Sequence, residues 1–165
     1  MQERHVKHNF PPVIDKDCEV LILGSVPSVK SVEANFYYGH PQNRFWKILS
    51  ALFGEDFVLL DDENMIQKRK ELLLSHHVAL YDSVEECDIL GSSDAHIKNV
   101  VPSDIASLIE GTKISKIFCN GNTSYKYFVE YNKNLTAQPL PSTSPANAGW
   151  SLEKLVEKWR VVLAH

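Results

Sequence analysis

The sequence predicts an α/β fold: a three-layer α/β/α sandwich around a mainly parallel four-stranded sheet, in a single domain over residues 1–165. Three observations carry this expectation. Short apolar runs alternate with amphipathic stretches of helical period, and that alternation builds a parallel sheet with helices on both faces. The chain of 165 residues is 44% hydrophobic, which suits one core. It contains no internal repeat, no low-complexity run and no linker long enough to divide it.

The elements follow in order. Residues 18–23 (Cys-Glu-Val-Leu-Ile-Leu) form a continuous apolar run closed by Gly24, the pattern of a strand buried on both faces. Residues 42–53 place Phe45, Ile48, Leu49, Leu52 and Phe53 on one helical face, and Gly54 ends that helix. A charged helix spans 64–76. A second strand, 78–81, ends at Asp82. Residues 103–110 read as a short helix capped by Ser103 or Asp104 and stopped by Gly111. A third strand, 116–119, runs into Asn120-Gly121-Asn122, and a helix spans 123–131. A fourth strand is expected over 136–140. Ser151 caps a last helix whose inner face is Leu152, Leu155, Val156, Trp159 and Leu163.

Composition narrows the possibilities. No apolar run approaches the length of a membrane span, and the opening Met1-Gln2-Glu3-Arg4-His5 has no apolar stretch behind it. We therefore expect an intracellular, cytoplasmic protein with no membrane partner. The three cysteines, Cys18, Cys87 and Cys119, are isolated, which argues against a disulfide framework and against a four-cysteine metal site. His5 with His8, and His76 beside His77, lack a third ligand nearby in sequence, so no metal and no cofactor is expected. The formal charge of −4 argues against a broadly basic nucleic-acid binder. It leaves room for a local binding lip, since each phosphate contact also strengthens non-specific binding.

Four polar, turn-rich segments follow the four strands, where open parallel sheets bind ligands. Gly24-Ser25-Val26-Pro27-Ser28 follows the first, and its tight turn can bring backbone N–H groups to a ligand or be a plain turn. Asp82 follows the second, as a base or as a brace for the pocket, the brace being favoured. Asn120-Gly121-Asn122 follows the third, and the Asn120 amide offers a donor and an acceptor to a base edge, or simply makes a turn. The fourth is Leu140-Pro141-Ser142-Thr143-Ser144-Pro145-Ala146-Asn147-Ala148, a stiff hydroxyl-rich loop that can hold DNA phosphates without net charge or be an ordinary rigid loop. The densest segment stands apart: Tyr37-Tyr38-Gly39-His40-Pro41-Gln42-Asn43-Arg44-Phe45-Trp46. An aromatic there can stack on a flat base and an amide near a helix start can position water. The plain alternative makes the tyrosines core and Asn43 a helix cap. No phosphate loop and no Gly-x-Ser-x-Gly elbow is present.

Together these segments resemble the uracil-DNA glycosylase superfamily, and most of all its hypoxanthine-DNA glycosylase branch. The residues that carry the resemblance are Gly24 to Ser28, Tyr37 to Trp46 and Leu140 to Ala148, with the helix from Ser151 to Glu157 similar to the last helix of mismatch-specific uracil enzymes. The resemblance spans Cys18 to Arg160. It implies a uracil-DNA glycosylase-like fold, a monomer, and base excision repair as the setting, with DNA containing a deaminated base as partner. Val26 stands where the mismatch-specific branch has a water-positioning asparagine, and Leu140 stands where the classical uracil enzymes have a histidine. The hypoxanthine branch carries its catalytic asparagine in the Gly-His-Pro-x-Asn stretch, which is Asn43 here. The resemblance further implies base contacts from Gly24, Ser25, Val26, Tyr38, Asp82 and Asn120, with Tyr38 as the stacking ring. DNA contacts are expected from His40, Ser142, Thr143, Ser144, Pro145 and Asn147.

The reaction this implies is base flipping followed by hydrolysis of the glycosidic bond, with Asn43 holding the water and no lysine nucleophile. Three other readings remain open on the sequence: a uracil enzyme of the mismatch-specific type, a non-catalytic damaged-DNA binding module, and an unrelated α/β enzyme acting on a nucleoside or other small ligand.

Overall fold

The computed structural model of the chain describes residues 3–26, 36–90 and 97–163. In chain order the strands are β1 (Glu3–Lys7), β2 (Val20–Gly24), β3 (Val78–Asp82), β4 (Val84–Leu90), β5 (Ile97–Pro102), β6 (Lys116–Asn120) and β7 (Gln138–Leu140). The helices are α1 (Phe45–Phe53), α2 (Met65–Ser75), α3 (Ile105–Ile109), α4 (Asn122–Tyr131) and α5 (Leu152–Trp159), the last running into a 3-10 turn, Arg160–Leu163. Pro27 and Ser28, the end of the first turn-rich segment, lie outside the described residues.

The central sheet has the order β3-β2-β6-β7, and every neighbouring pair is parallel. Val20, Leu21, Ile22 and Leu23 are each 0% exposed, so the apolar run is covered on both faces, as a central parallel strand requires. Helix α2 lies against β3, α4 against β6 and β7, and α1 packs on α5. The register pairs Gly24 with Asp82, Leu23 with Cys119 and Asn120 with Leu140. The four strands therefore end together, at Gly24, Asp82, Asn120 and Leu140. The outer edge of β3 is covered by Val13, whose N–H donates to the Leu80 carbonyl (3.0 Å) and whose carbonyl accepts from the Leu80 N–H (2.9 Å).

A second sheet, β1-β4-β5, is antiparallel, and the sequence does not announce it. Only Ser83 separates β3 from β4. Its N–H donates to the Gly24 carbonyl (2.8 Å) and the Val84 N–H donates to the Ser25 carbonyl (2.9 Å), so pairing with the first segment continues past the end of β2. The Ser124 hydroxyl, fully buried, donates to the Leu23 carbonyl (2.8 Å) and lies 3.2 Å from the Ser83 hydroxyl. This latch ties α4 to the crossing between the sheets. Irregular register at Val84, Glu86 and Asp88 breaks the two-residue alternation by which a strand is read.

Helix starts also shift. The helix expected from residue 42 begins at Phe45, because Asn43 accepts a hydrogen bond from the Phe45 N–H (3.0 Å) through its side chain and so stands outside the helix. Asp104, not Ser103, caps α3 by accepting from the Ser107 N–H (3.2 Å), and Ser151 caps α5 as expected. The three cysteines are buried and free, and burial pushes the Cys18 and Cys119 thiols up to about 11. Among the described residues no helix is long and apolar enough to cross a membrane.

One exposed cluster on the second sheet makes a pH prediction. His5 stands between Asp88 (Nδ1 to Oδ1, 2.7 Å) and Glu86 (Nε2 to Oε1, 2.6 Å). These hydrogen bonds, that to Asp88 foremost, hold His5 above its ordinary 6.5. Asp88 is held below its ordinary 3.8, by the Asn99 amide first and His5 second. A raised histidine contributes stability that is full below its unfolded-state pKa and is lost as pH rises through the folded one. A lowered aspartate contributes above its unfolded-state pKa, and the contribution is lost as pH falls through the folded one. Both are full between the ordinary values of 3.8 and 6.5. An NMR titration should place the His5 midpoint above 6.5, and Asp88→Asn should bring it down; a midpoint at or below the ordinary value would refute the staple.

Candidate active site

The centre of the site is a chain of three side chains drawn from three elements. Asn120 ends β6, Thr143 lies in the loop after β7, and Asn43 precedes α1. The Asn120 Nδ2 donates to the Thr143 Oγ1 (3.0 Å), and the Thr143 Oγ1 donates to the Asn43 Oδ1 (2.7 Å). The Thr143 N–H returns a bond to the Asn120 Oδ1 (3.0 Å). Backbone N–H groups only donate, so the atoms facing Thr143 N and Phe45 N are the amide oxygens, and both asparagines are fixed in orientation. The Asn43 Oδ1 thus accepts two bonds. Its Nδ2 carries no bond among the described hydrogen bonds, on a half-buried side chain.

The loop that supplies Thr143 is held by Arg44. Its guanidinium donates to the carbonyls of Ser144 (Nη2, 2.8 Å), Asn147 (Nη2, 3.0 Å), Thr143 (Nε, 3.4 Å) and, through Nη1, Trp150. The Arg44 N–H also donates to the Thr143 carbonyl (3.1 Å). Within the loop, Asn147 Nδ2 donates to the Ser142 carbonyl (3.0 Å) and the Ser144 N–H donates to the Ser142 Oγ (3.1 Å). From below, Trp159, fully buried, donates its Nε1 proton to the Pro141 carbonyl (3.0 Å). The sequence reading placed Arg44 in a helix turn and gave it no task. The signal was its place one residue after Asn43, but the carbonyls it reaches are about a hundred residues further on.

A second group lies at the ends of β2 and β3. Asp82 is 5% exposed, and its Oδ2 lies 2.7 Å from the Nε2 of His8, itself buried. Gly24 is opposite Asp82 in register, and a Cβ there would stand 2.2 Å from the Asp82 Oδ1 and 3.3 Å from the Tyr38 hydroxyl. Glycine is therefore required for space. Tyr38 has a φ of 53°, unusual for an aromatic residue. Its ring stacks on Phe45 with centroids 4.0 Å apart and meets Trp46 edge-on. Its hydroxyl is fully buried and makes no hydrogen bond of normal geometry among the described residues; burial and then the Asp82 charge push its pKa up, against the Asn120 side chain, which stands close enough to lower it.

The remaining expected residues are placed as follows. Ser25 is half-buried and its carbonyl accepts from Val84. Val26 packs into an apolar cluster with Val6, Val84, Cys87, Ile89 and Tyr127, turned to the second sheet. His40 shapes the turn, its Nδ1 accepting from the Gln42 N–H (3.1 Å) and its carbonyl from the Asn43 N–H (3.0 Å). Ser142, Ser144, Pro145 and Asn147 are half-buried in the loop. Thr143 differs from the expectation of a phosphate contact: it is 0% exposed and its hydroxyl serves the two asparagines. His8, which the sequence presents only as a metal-ligand candidate, pairs instead with a partner 74 residues away that nothing local marks. Among the described residues no group of three or more His, Cys, Asp or Glu could hold a metal ion. Two surface cavities lie elsewhere, one beside Ser103 and Asn132 and one beside Leu59 and Leu72.

A parallel sheet that ends in a tight glycine notch, an amide fixed beside a helix start and a clamped hydroxyl-rich loop together form a candidate site for a flat, base-like group. The comparisons agree: the profile of the uracil DNA glycosylase superfamily matches residues 11–163, and the chain belongs to that superfamily. It is 31% identical over 163 residues to the hypoxanthine DNA glycosylase of Methanosarcina acetivorans, covering 97% of this chain and 99% of that one. It is 34% identical over 122 residues to the hypoxanthine DNA glycosylase of Methanosarcina barkeri, covering 73% and 75%. A solution NMR structure of a uracil DNA glycosylase candidate from Methanosarcina acetivorans superposes with a TM-score of 0.76 at 30% identity, over 95% of this chain and 98% of that one.

Two substitutions test this construction. Gly24→Ala should force the Asp82 carboxylate off its His8 partner, and overpacking of this kind costs about 1–3 kcal/mol; urea unfolding should show the loss. Arg44→Lys should lower the unfolding free energy by about 2 kcal/mol, because a single ammonium cannot span carbonyls that a guanidinium reaches with separate nitrogens. Limited proteolysis should then cut within residues 142–150, and an uncleaved loop would show that the clamp is dispensable.

Proposed function

We propose that this chain is a monofunctional DNA glycosylase that releases hypoxanthine from deoxyinosine in DNA, as a step of base excision repair. The observation that carries the proposal is the Asn120–Thr143–Asn43 chain, which fixes Asn43 with its Nδ2 uncommitted. The names of the two Methanosarcina relatives support the same substrate.

The deaminated nucleotide is extruded from the duplex, at a cost of a few kcal/mol that is smaller at a mismatch. The clamped loop with Ser142, Ser144, Pro145 and Asn147 takes the backbone through hydroxyls and main-chain groups, beside His40. Tyr38, backed by Phe45, stacks on the base, and the backbone around Gly24 and Ser25 with the Asn120 amide reads its edge. Asn43 donates from Nδ2 to the oxygen of a water on the far side of the sugar. A donor holds water without taking its proton. That suffices where the glycosidic bond is already largely broken and the sugar is oxocarbenium-like, because such a cation accepts neutral water. The bond between C1′ and the base nitrogen breaks with its electron pair going to the base, the water oxygen bonds C1′, and the released proton goes to solvent or the leaving base.

Hypoxanthine is favoured over uracil by two placements. Leu140, at the end of β7, is apolar and 4% exposed, so it offers no charge to a uracil anion. Val26 faces the second sheet and polarises no water.

The test is base release from oligonucleotides carrying one deoxyinosine, deoxyuridine or deoxyxanthosine, with abasic sites revealed by alkali. Hypoxanthine should be released without direct strand cleavage, and Asn43→Ala should lower the rate about 100- to 1,000-fold, the scale of losing one preorganised polar group. Release of uracil alone would move the substrate, and tight lesion binding without release would make the chain a binding module.

A further inference from the structure

The buried pair His8 and Asp82 has no part in the steps above, although it lies under the residue to which those steps assign the base. The His8 side chain is 2% exposed and that of Asp82 7%. The imidazole stands in an aromatic box, stacked on Tyr81 with centroids 4.5 Å apart and flanked by Phe10 and Tyr37. A histidine enclosed in this way needs a partner for each nitrogen. Nδ1 is 3.2 Å from the Phe10 carbonyl, which only accepts, so Nδ1 carries a proton. Nε2 is 2.7 Å from the Asp82 Oδ2, and one further proton lies between them. Whichever of the two atoms holds it, the Asp82 Oδ1 is left with lone pairs only. It is an acceptor facing the Gly24 notch.

The donor opposite it is already present. The Tyr38 hydroxyl is buried and makes no hydrogen bond of normal geometry among the described residues, the Asn120 side chain being its polar neighbour, and it and the Asp82 Oδ1 both lie within 3.3 Å of the point where a Gly24 Cβ would stand. A buried hydroxyl with no partner is unfavourable, and here it occurs on a residue whose backbone is also strained.

We propose that His8 is a positioning residue, holding Asp82 so that the Tyr38 hydroxyl closes onto Oδ1 when a flipped base presses on the ring. This relay, Tyr38 to Asp82 to His8, rests on the reading of Tyr38 as the stacking residue. In the free protein the bond is open and the hydroxyl is poised. In the complex the bond forms and fixes the ring against the base. No bond is made or broken covalently, and no proton leaves the pair.

The experiment compares wild type, Tyr38→Phe, His8→Gln and the double variant in two measurements. One is binding to a duplex with a single deoxyinosine against an undamaged duplex, by fluorescence anisotropy. The other is single-turnover release of hypoxanthine. Tyr38→Phe keeps the ring and removes the unpartnered hydroxyl. Its thermal midpoint in the absence of DNA should equal or exceed that of wild type, while its preference for the lesion falls about tenfold, the scale of one hydrogen bond to a charged group. His8→Gln should lose a similar factor, and the double variant should lose little more than either, because both remove the same bond. A merely structural histidine would instead give multiplied losses. Tyr38→Phe with unchanged lesion preference would overturn the relay even if His8→Gln did not fold. Wild type that binds the lesion and releases no hypoxanthine would defeat the functional reading alone, since the relay is still decided by binding.

Discussion

The Thr143 hydroxyl is the bond on which the rest of the site depends. A hydroxyl has one proton and two lone pairs, and this one, with no exposure to water, uses its proton on Asn43 and a lone pair on Asn120. It joins the end of a central strand to the start of a helix through a loop that has no regular structure. Its position in turn requires the loop to be fixed, and the Arg44 guanidinium and the Trp159 indole do that from either side. The clamp uses the positive charge of Arg44 on main-chain carbonyls. That charge is thereby spent inside the fold, and under the proposed function a protein of formal charge −4 meets a polyanion with neutral donors at the loop. Such a grip is weak per contact and depends on several groups being held at once, which is what the clamp supplies.

The second constraint is space at the end of β2. Gly24 lies between Asp82 and the Tyr38 hydroxyl, and the absence of a side chain there lets the carboxylate and the ring approach. The same end of the sheet is where β3 passes into β4 through Ser83, so the notch lies at the junction of two sheets. The Ser83 and Ser124 hydroxyls satisfy buried groups at that junction, which an apolar pair would leave orphaned. The second sheet thus does structural work for the first. It places β1 beside β4, and the segment carrying His8 follows β1, the His8 N–H donating to the Glu85 carbonyl of β4 (3.0 Å).

Membership of the uracil DNA glycosylase superfamily sets the reaction class, and the residues within it decide how charge is handled. Under the proposed function, the apolar Leu140 at the end of β7 leaves stabilisation of the departing base to several modest hydrogen bonds.

The sequence alone determined the parallel sheet, because short apolar runs closed by glycine, aspartate or asparagine and alternating with helical stretches build one, and it marked Gly24, Tyr38, Asn43, Asp82 and Asn120 as candidates because each sits at a strand end or a turn with a local signature. The antiparallel sheet stayed hidden, since irregular register in β4 erases its alternation and β5 is largely exposed. Thr143 was visible as a hydroxyl in a stiff loop but not as an interior residue, and Arg44 and His8 were visible only as types. The Asn43 that Thr143 meets, the carbonyls that Arg44 spans and the Asp82 that His8 faces lie 74 to 106 residues away. A short-range pattern encodes which elements form, since that follows from local periodicity. Which lone pair a hydroxyl meets, and which carbonyls a guanidinium spans, follows from the packing of elements distant in the chain, and only the tertiary structure decided those.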